Sequence, residues 1–215
     1  MKRGSERAAL LLSEIIWTGD GVIRNRREAV RILDDFSRRP SAEAAYRAAR
    51  LFESLAPPEH AEAVRRYTLA AKMNHAEAAN QLGVHLRLGL GTTADPAAAR
   101  SWFERAAKQG NITAMVNLAD LVRSGIGGPP DATRAIELAT TALKQGNLHA
   151  ALLLALIYSQ GELTNPPKAL ALARWSEARG VDGAHALTSK LSPLVDAADL
   201  EAAERWLATL VGLRP

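Results

Sequence analysis

Five histidines are the side chains of this 215-residue chain best suited to acid–base chemistry or metal binding. They are His60, His75, His85, His149 and His185. No two of them are four residues apart, the spacing that places two imidazoles on one helix face for zinc. The chain contains no cysteine, which excludes disulfides, cysteine-bound zinc and thiol catalysis. We therefore predict no metal site.

Other residue types that could carry catalysis or bind phosphate do not form a recognised motif. Asp34 and Asp35 are adjacent, so on a helix their carboxylates would point about 100° apart rather than at one substrate. The serines lie mostly in predicted turns, which gives no basis for a Ser-His-Asp arrangement. Three Gly-x-Gly sequences, at 19–21, 89–91 and 125–127, lack the Gly-Lys-Ser/Thr of a phosphate-binding loop. We predict no catalytic residue and no cofactor, and hence a protein that is not an enzyme.

The segments that carry these residues repeat along the chain. Small residues recur at intervals of 34 or 36 positions, at Ala8, Ala44, Ala78, Ala114, Ala150 and Ala184. Residues four and eight positions later are mostly apolar, as expected of one helix face. A second alanine column follows 19 or 21 positions after the first, at Ala29, Ala63, Ala99, Ala135, Ala169 and Ala203. Each repeat is therefore predicted to be a helical hairpin, and the period is typical of a solenoid.

Residues at the expected helix ends support the same division. Four positions before each second alanine lie Asn25, Glu59, Asp95, Asp131, Asn165 and Asp199, and all but Glu59 are common helix N-caps. Glycines that can close a helix follow the second helices at Gly110, Gly146 and Gly180. These residues predict where the second helix of each hairpin begins and ends.

The third repeat carries the most specific pattern, which comprises Leu82-Gly83, Gly89-Leu90-Gly91, Asp95, Ala99, Trp102, Ala106-Ala107 and Gln109-Gly110. This pattern resembles the Sel-one-like repeat, a relative of the tetratricopeptide repeat. The resemblance implies an all-α fold, a right-handed α-solenoid of about six helix-turn-helix repeats. We expect a single domain over 8–215, with repeats starting near 8, 44, 78, 114, 150 and 184. The repeats at 44 and 184 depart most from the pattern.

The formal net charge is +4, and the excess of basic residues lies before position 76. A candidate basic patch there consists of Arg24, Arg26, Arg27 and Arg31. Such a patch could bind an acidic protein, an anionic membrane surface or nucleic acid, or it could be a solvated face. No aromatic residue interleaves with the arginines to stack a base, which argues against nucleic acid.

The resemblance also implies a concave groove lined by the first helix of each repeat. Glu14 and Trp17 occupy groove positions in the first repeat, and the later repeats place there Tyr46, Arg47, Arg50, Glu53, Asn80, Gln81, Arg87, Asn117, Asp120 and Arg123, followed by the more apolar Leu152, Leu153 and Leu156. Arginine and carboxamide side chains suit a peptide backbone and its carboxylates. We therefore expect a non-enzymatic scaffold or adaptor that binds another protein or peptide, with an acidic segment among the candidates.

The resemblance implies roles in bacterial signalling or complex assembly, and two other functions stay open. One is an exported scaffold for exopolysaccharide or cell-envelope assembly, and the other is an inhibitor or immunity-type protein that caps one enzyme. Lys2 and Arg3 precede an apolar run at 8–17, but Glu14 interrupts it and no Ala-x-Ala site follows, which disfavours a signal peptide. We expect no transmembrane segment. The predicted location is the cytoplasm, or the periplasm or exterior if a leader has been removed.

Overall fold

The computed structural model describes residues 2–19, 25–37, 41–55 and 57–212. Within these ranges the chain forms twelve α-helices and one 3₁₀ turn, and none of the described residues lies in a strand. The chain divides into two compact units, Met1–Gln109 and Gly110–Pro215. Each unit contains six of the helices. The all-α fold is as predicted, and the expectation of a single domain stays a prediction.

The first unit consists of three helical hairpins. Its helices are α1 (Lys2–Thr18), α2 (Arg26–Ser37), α3 (Ala42–Glu53), α4 (His60–Lys72), α5 (Ala76–Leu88) and α6 (Pro96–Lys108). The helices pair in chain order, and successive hairpins pack through α2 against α3 and α4 against α5. Ala29, Ala44, Ala63, Ala78 and Ala99 are fully buried. Ala8, the first member of its column, is exposed, and its neighbour Ala9 is buried instead. The other column members of this unit therefore form the contacts within and between these hairpins.

The second unit begins with two hairpins of the same kind. Its helices are α7 (Ile112–Ser124), α8 (Ala132–Lys144), α9 (Leu148–Tyr158), α10 (Pro166–Glu177), α11 (Ala184–Leu191) and α12 (Ala197–Leu210), with a 3₁₀ turn at Ser192–Leu194. Helix α7 pairs with α8 and α9 with α10, whereas α11 and α12 both pack against α10. The last two helices therefore both cover α10 of the preceding hairpin.

Helix ends in the structure largely follow the sequence prediction. The carboxylates of Asp95 and Asp131 each accept a hydrogen bond at 2.9 Å from the backbone amide three residues later. Asn165 caps α10 in the same way. The prediction for Asp199 is wrong, because α12 begins at Ala197, two residues before Asp199. Asp196 is its N-cap and accepts from the amide of Asp199 at 2.8 Å.

The predicted closing glycines also adopt the required conformation. Gly110, Gly146 and Gly180 have φ angles of +85°, +89° and +70°. These angles place them in the left-handed region that ends a helix and that other residues rarely adopt. No helix in the described ranges is both long and apolar enough to cross a lipid bilayer.

Candidate functional site

The first unit contains a pocket of about 530 Å³ between α1 and α3, the first helices of its first two hairpins. We call it the α1–α3 pocket. Its lining residues are Leu10, Ser13, Glu14, Trp17, Thr18, Leu33, Glu43, Tyr46, Arg47, Arg50, Leu51 and Ser54. The structure thus brings together Glu14, Trp17, Tyr46, Arg47 and Arg50 of the groove residues predicted for the first two repeats. The predicted groove residue Glu53 instead bonds to Tyr67 and His85.

Apolar side chains form the base of the α1–α3 pocket. Leu33 is fully buried and packs with Ala44 and Ala48, and the partly buried Leu10 and Leu51 pack against this cluster. Because these residues belong to three helices, the base is fixed by the packing of α1, α2 and α3. Polar and aromatic side chains from α1 and α3 surround it. An apolar side chain of a partner could be buried against this base.

Glu43 links two neighbours at the edge of the pocket. It accepts a hydrogen bond from Nε of Arg47, and its other oxygen lies 3.2 Å from Nε2 of His75. Burial would raise the pKa of Glu43, but the hydrogen bonds from Arg47 and His75 outweigh burial and lower it. Arg47 also lies 3.6 Å from Glu14. Arg47 is therefore held between two carboxylates.

His75 positions the aromatic ring of Tyr46. The two rings stack with centroids 4.5 Å apart and an interplanar angle of 25°. His75 is the N-cap of α5, and its Nδ1 accepts a hydrogen bond from the amide of Ala78 at 3.2 Å. The proton of a neutral ring is then on Nε2, which donates to Glu43. Tyr46 is thus supported from α5 while it lines the pocket.

Arg50 differs from Arg47 in its surroundings. It is exposed, lines the pocket, and pairs with no carboxylate among the residues that the structure describes. Burial raises the pKa of the Tyr67 hydroxyl, and the positive charge of Arg50 opposes that rise. A guanidinium that faces a pocket and is not itself paired with a carboxylate of the protein can bind the carboxylate of a ligand through two parallel hydrogen bonds.

A second polar cluster of the first unit joins the ends of α3, α4 and α5. The Tyr67 hydroxyl donates to Oε2 of Glu53 at 2.5 Å, and Oε1 of Glu53 lies 2.5 Å from Nε2 of His85. Burial would lower the pKa of His85, but its hydrogen bonds to Glu53 and to the carbonyl of Leu90 raise it. The ring of His60 lies edge-on to that of His85, with centroids 5.5 Å apart.

The other predicted groove residues of the first unit lie on α5 and outside the α1–α3 pocket lining. Asn80 is buried, with 6% of its surface exposed, while Gln81 and Arg87 are half-buried. Asn80 therefore packs inside the unit rather than presenting an open amide. The predicted groove role of these three residues stays a prediction.

In the second unit, the predicted groove residues Asn117, Asp120 and Arg123 all lie on α7 and are half-buried. Nη2 of Arg123 donates to Oδ1 of Asp120 at 2.8 Å. This internal ion pair uses one N–H edge of the Arg123 guanidinium, so Arg123 is less available to a ligand carboxylate than Arg50.

The candidate basic patch is only partly within the described part of the chain. Arg24 and the side chain of Arg26 lie outside it. Arg27 is exposed, and Arg31 donates two hydrogen bonds to Glu28, at 2.8 and 2.6 Å. The hydrogen bond from Arg31 lowers the pKa of Glu28. Glu28 therefore offsets part of the positive charge of this patch.

Sequence reasoning missed the contacts that hold α3 beside α5. The two glutamate–histidine pairs, Glu43 with His75 and Glu53 with His85, each span 32 residues. This separation is two residues less than the interval between Ala44 and Ala78, so each pair joins nearly equivalent positions of neighbouring repeats. A search for hydrogen-bonding pairs within two residues of one repeat length could have found both.

Comparisons with known proteins agree with this architecture. The Sel1 repeat matches residues 6–33, 42–75, 76–111, 112–147 and 148–174. A Sel1 repeat protein from Oxalobacter formigenes is 25% identical, with a TM-score of 0.77 over 97% of this chain and 88% of that one. A protective antigen of uropathogenic Escherichia coli with an SLR fold is 23% identical, with a TM-score of 0.78 over 98% of this chain and 47% of that one. A search of curated proteins finds no match.

The five matched repeats correspond to α1–α10, and α11 and α12 lie beyond them. Sel1 repeat proteins are generally protein-interaction scaffolds, they typically lack catalysis, and repeats of this kind generally bind protein partners. The Sel1 match covers most of the sequence, in the register that the alanine columns define. The chain therefore belongs to the Sel1 repeat family.

Proposed function

We propose that this protein is a non-enzymatic adaptor that binds a segment of a partner protein in the α1–α3 pocket. The observation that carries the proposal is Arg50, an exposed guanidinium in the pocket lining that pairs with no carboxylate in the described part of the chain. A carboxylate of the partner would complete its hydrogen bonding, and such charge-assisted bonds are stronger than neutral ones.

The rest of the pocket suggests what accompanies that carboxylate. Trp17 and Tyr46 are half-buried aromatic residues in the lining, above the base formed by Leu10, Leu33 and Leu51. Large aromatic side chains contribute much of the binding energy in protein interfaces. An apolar side chain next to the carboxylate would therefore be buried in the pocket while Arg50 holds the charge.

The charges of the pocket argue against a strongly acidic partner. Glu14 and Glu43 line the pocket together with Arg47 and Arg50, so its formal charges balance. A run of several acidic residues would meet the two glutamates and be repelled. We infer that the preferred segment has one carboxylate, from a side chain or from a chain end, beside an aromatic or aliphatic residue.

A random peptide display library selected against the full chain tests this proposal. We expect the enriched peptides to share a carboxylate adjacent to an apolar residue. Arg50→Ala should weaken their binding by about 1–3 kcal/mol, or roughly 5- to 150-fold, because one charge-assisted contact is lost. Arg65→Ala is the matched control, since Arg65 is an exposed arginine of the same unit that pairs with Glu62.

Two results would contradict the proposal. One is the enrichment of no peptide family over an unselected library. The other is enrichment of peptides that bind the Arg50→Ala variant as tightly as the wild type, because the site would then lie elsewhere on the protein.

A further inference from the structure

Three side chains that can ligate a metal meet where α3 ends, α4 begins and α5 packs beside them. They are Glu53, His60 and His85, and one ligand atom from each lies within 4.8 Å of the other two. A carboxylate and two imidazoles are a common ligand set for zinc and related transition metals. The three residues are far apart in sequence, so only the fold brings them together.

The ring of His85 is already oriented as a metal ligand would be. His85 is buried, and its Nδ1 lies 2.9 Å from the carbonyl oxygen of Leu90. A carbonyl can only accept, so Nδ1 carries a proton and Nε2 is the nitrogen turned to Glu53. Histidines that bind metals usually donate their other ring nitrogen to such an acceptor, which fixes the ring.

His60 has a buried ring nitrogen that is available to a metal ion. Its Nδ1 is buried and has no hydrogen-bond partner among the residues that the structure describes. A buried ring nitrogen without a partner is unfavourable, and such groups in folded proteins point to an unseen ligand or water. His60 is also the first residue of α4, so its backbone is fixed by the start of that helix.

The surrounding structure supports all three residues. Tyr67 donates its hydroxyl to Oε2 of Glu53, which leaves Oε1 to face His85. The loop that supplies the Leu90 carbonyl also packs closely against the backbone at His60. A Cβ on Gly91, at φ +70°, would lie 2.3 Å from the His60 carbonyl carbon and 2.5 Å from the Ala61 nitrogen. This close approach couples the positions of the two histidines.

We propose that Glu53, His60 and His85 bind one divalent transition-metal ion of the zinc type. The ion takes the place of the proton between His85 Nε2 and Glu53 Oε1, and that proton is released to solvent. The two atoms must move apart from 2.5 Å to about 3.3 Å, the separation that zinc bonds of about 2.0–2.1 Å require in a tetrahedral site. Three protein ligands leave one position of a tetrahedral site to water or to a group from a partner. The bound ion joins α3, α4 and α5 and therefore stabilises the junction of the second and third repeats. This inference departs from the sequence prediction of no metal site, and it does not depend on the peptide-binding proposal.

Zn²⁺ and Co²⁺ added to the metal-free full chain test the proposal. Native mass spectrometry should show one ion per chain, and Co²⁺ should give the visible absorption bands of a tetrahedral site. The melting temperature should rise with Zn²⁺, because the ion binds only the folded chain. Zinc binding followed in two buffers of different protonation enthalpy should show proton release.

Substitutions at and around the three ligands test whether the ion binds at this cluster. His60→Ala removes a ligand but keeps the bond between Glu53 and His85, and it should weaken Zn²⁺ binding by at least about 100-fold. Tyr67→Phe keeps the buried ring and removes only the bond to Glu53, so we expect roughly tenfold weaker binding. His149→Ala, an exposed residue of α9, is the control and should bind as the wild type does.

Glu53→Gln keeps the size of the side chain and removes its charge. It serves in place of His60→Ala if circular dichroism shows that His60→Ala does not fold. The proposal is overturned if the wild-type chain takes up no ion, or if the folded ligand variants bind Zn²⁺ as tightly as the wild type. In the first case the cluster is a hydrogen-bond network alone, and in the second the ion lies elsewhere.

Discussion

Gly83 tests the packing of the repeat that carries the family pattern, because it lies against a buried aromatic ring. In α5 it faces Phe103 of α6, whose side chain is fully buried. A Cβ at position 83 would lie 2.7 Å from Cε1 and 2.8 Å from Cδ1 of that ring. Because Phe103 is fully buried, its ring cannot swing into solvent to relieve the contact.

The size of the effect follows from two opposing contributions. Alanine in a helix interior is favoured over glycine by about 1 kcal/mol. Inserting a methyl group into a packed core costs about 1–3 kcal/mol, and both ring contacts here are too short to be absorbed without movement. We therefore expect Gly83→Ala to lower the free energy of unfolding by up to about 2 kcal/mol.

Urea unfolding followed by circular dichroism measures this change, and a second variant isolates its cause. Phe103→Leu replaces the ring with a smaller aliphatic side chain and makes room for the new methyl group. In the Phe103→Leu background, Gly83→Ala should cost less than in the wild type, with a coupling of about 0.5–3 kcal/mol. A Gly83→Ala chain that is more stable than the wild type would show that Phe103 does not oppose the new methyl group, as would an equal cost in both backgrounds.

Three further predictions concern a helix cap, an acidic group and the end of the chain. Asp131→Ala should destabilise the protein by about 1 kcal/mol in urea unfolding because α8 loses its N-cap, whereas exposed Asp182→Ala should change stability by less than about 0.5 kcal/mol. The pKa of Glu43 is lowered on folding, so its stabilisation is present above pH 4.5 and is lost as the pH falls below that value. The melting temperature of Glu43→Gln should therefore fall less on acidification than that of the wild type or of Glu137→Gln. Deletion of 184–215 should uncover α10 and increase light scattering, because α11 and α12 both pack against it.

A different result in each of these three experiments would contradict the corresponding prediction. Unchanged stability in Asp131→Ala would mean that its cap contributes nothing. Acid profiles of Glu43→Gln and wild type that run in parallel would show that Glu43 is equally acidic in the unfolded chain. A truncated chain that stays monomeric and melts at the wild-type temperature would show that α11 and α12 are dispensable.

The helical hairpins were predictable because small residues are required wherever two helices approach closely. Ala44, Ala78 and Ala114 are all fully buried, and this requirement fixes the period that the sequence displays. Caps were predictable for the same local reason, since Asp95 and Asp131 act on amides three residues away. The prediction failed at Asp199, where a 3₁₀ turn shifts the start of α12 to follow Asp196.

The candidate sites were harder to predict because they depend on contacts between repeats. Groove positions taken from the family pattern selected Tyr46, Arg47 and Arg50, which do line one pocket. The same pattern could not show that Asn80 is buried, since the depth of a side chain depends on the neighbouring helices. Ligand spacing within one helix likewise could not find a cluster such as His60 and His85, which are contributed by different repeats.

Whether Arg50 binds a carboxylate of the partner can be measured with a double-mutant cycle across the interface. Isothermal titration calorimetry would give the affinity of a selected peptide, and of the same peptide with its carboxylate changed to an amide, for the wild type and for Arg50→Ala. If Arg50 binds the carboxylate, removing that carboxylate weakens binding to the wild type but hardly affects Arg50→Ala, with a coupling of about 1–3 kcal/mol. Equal losses in both proteins, and hence a coupling near zero, would show that Arg50 does not bind the carboxylate.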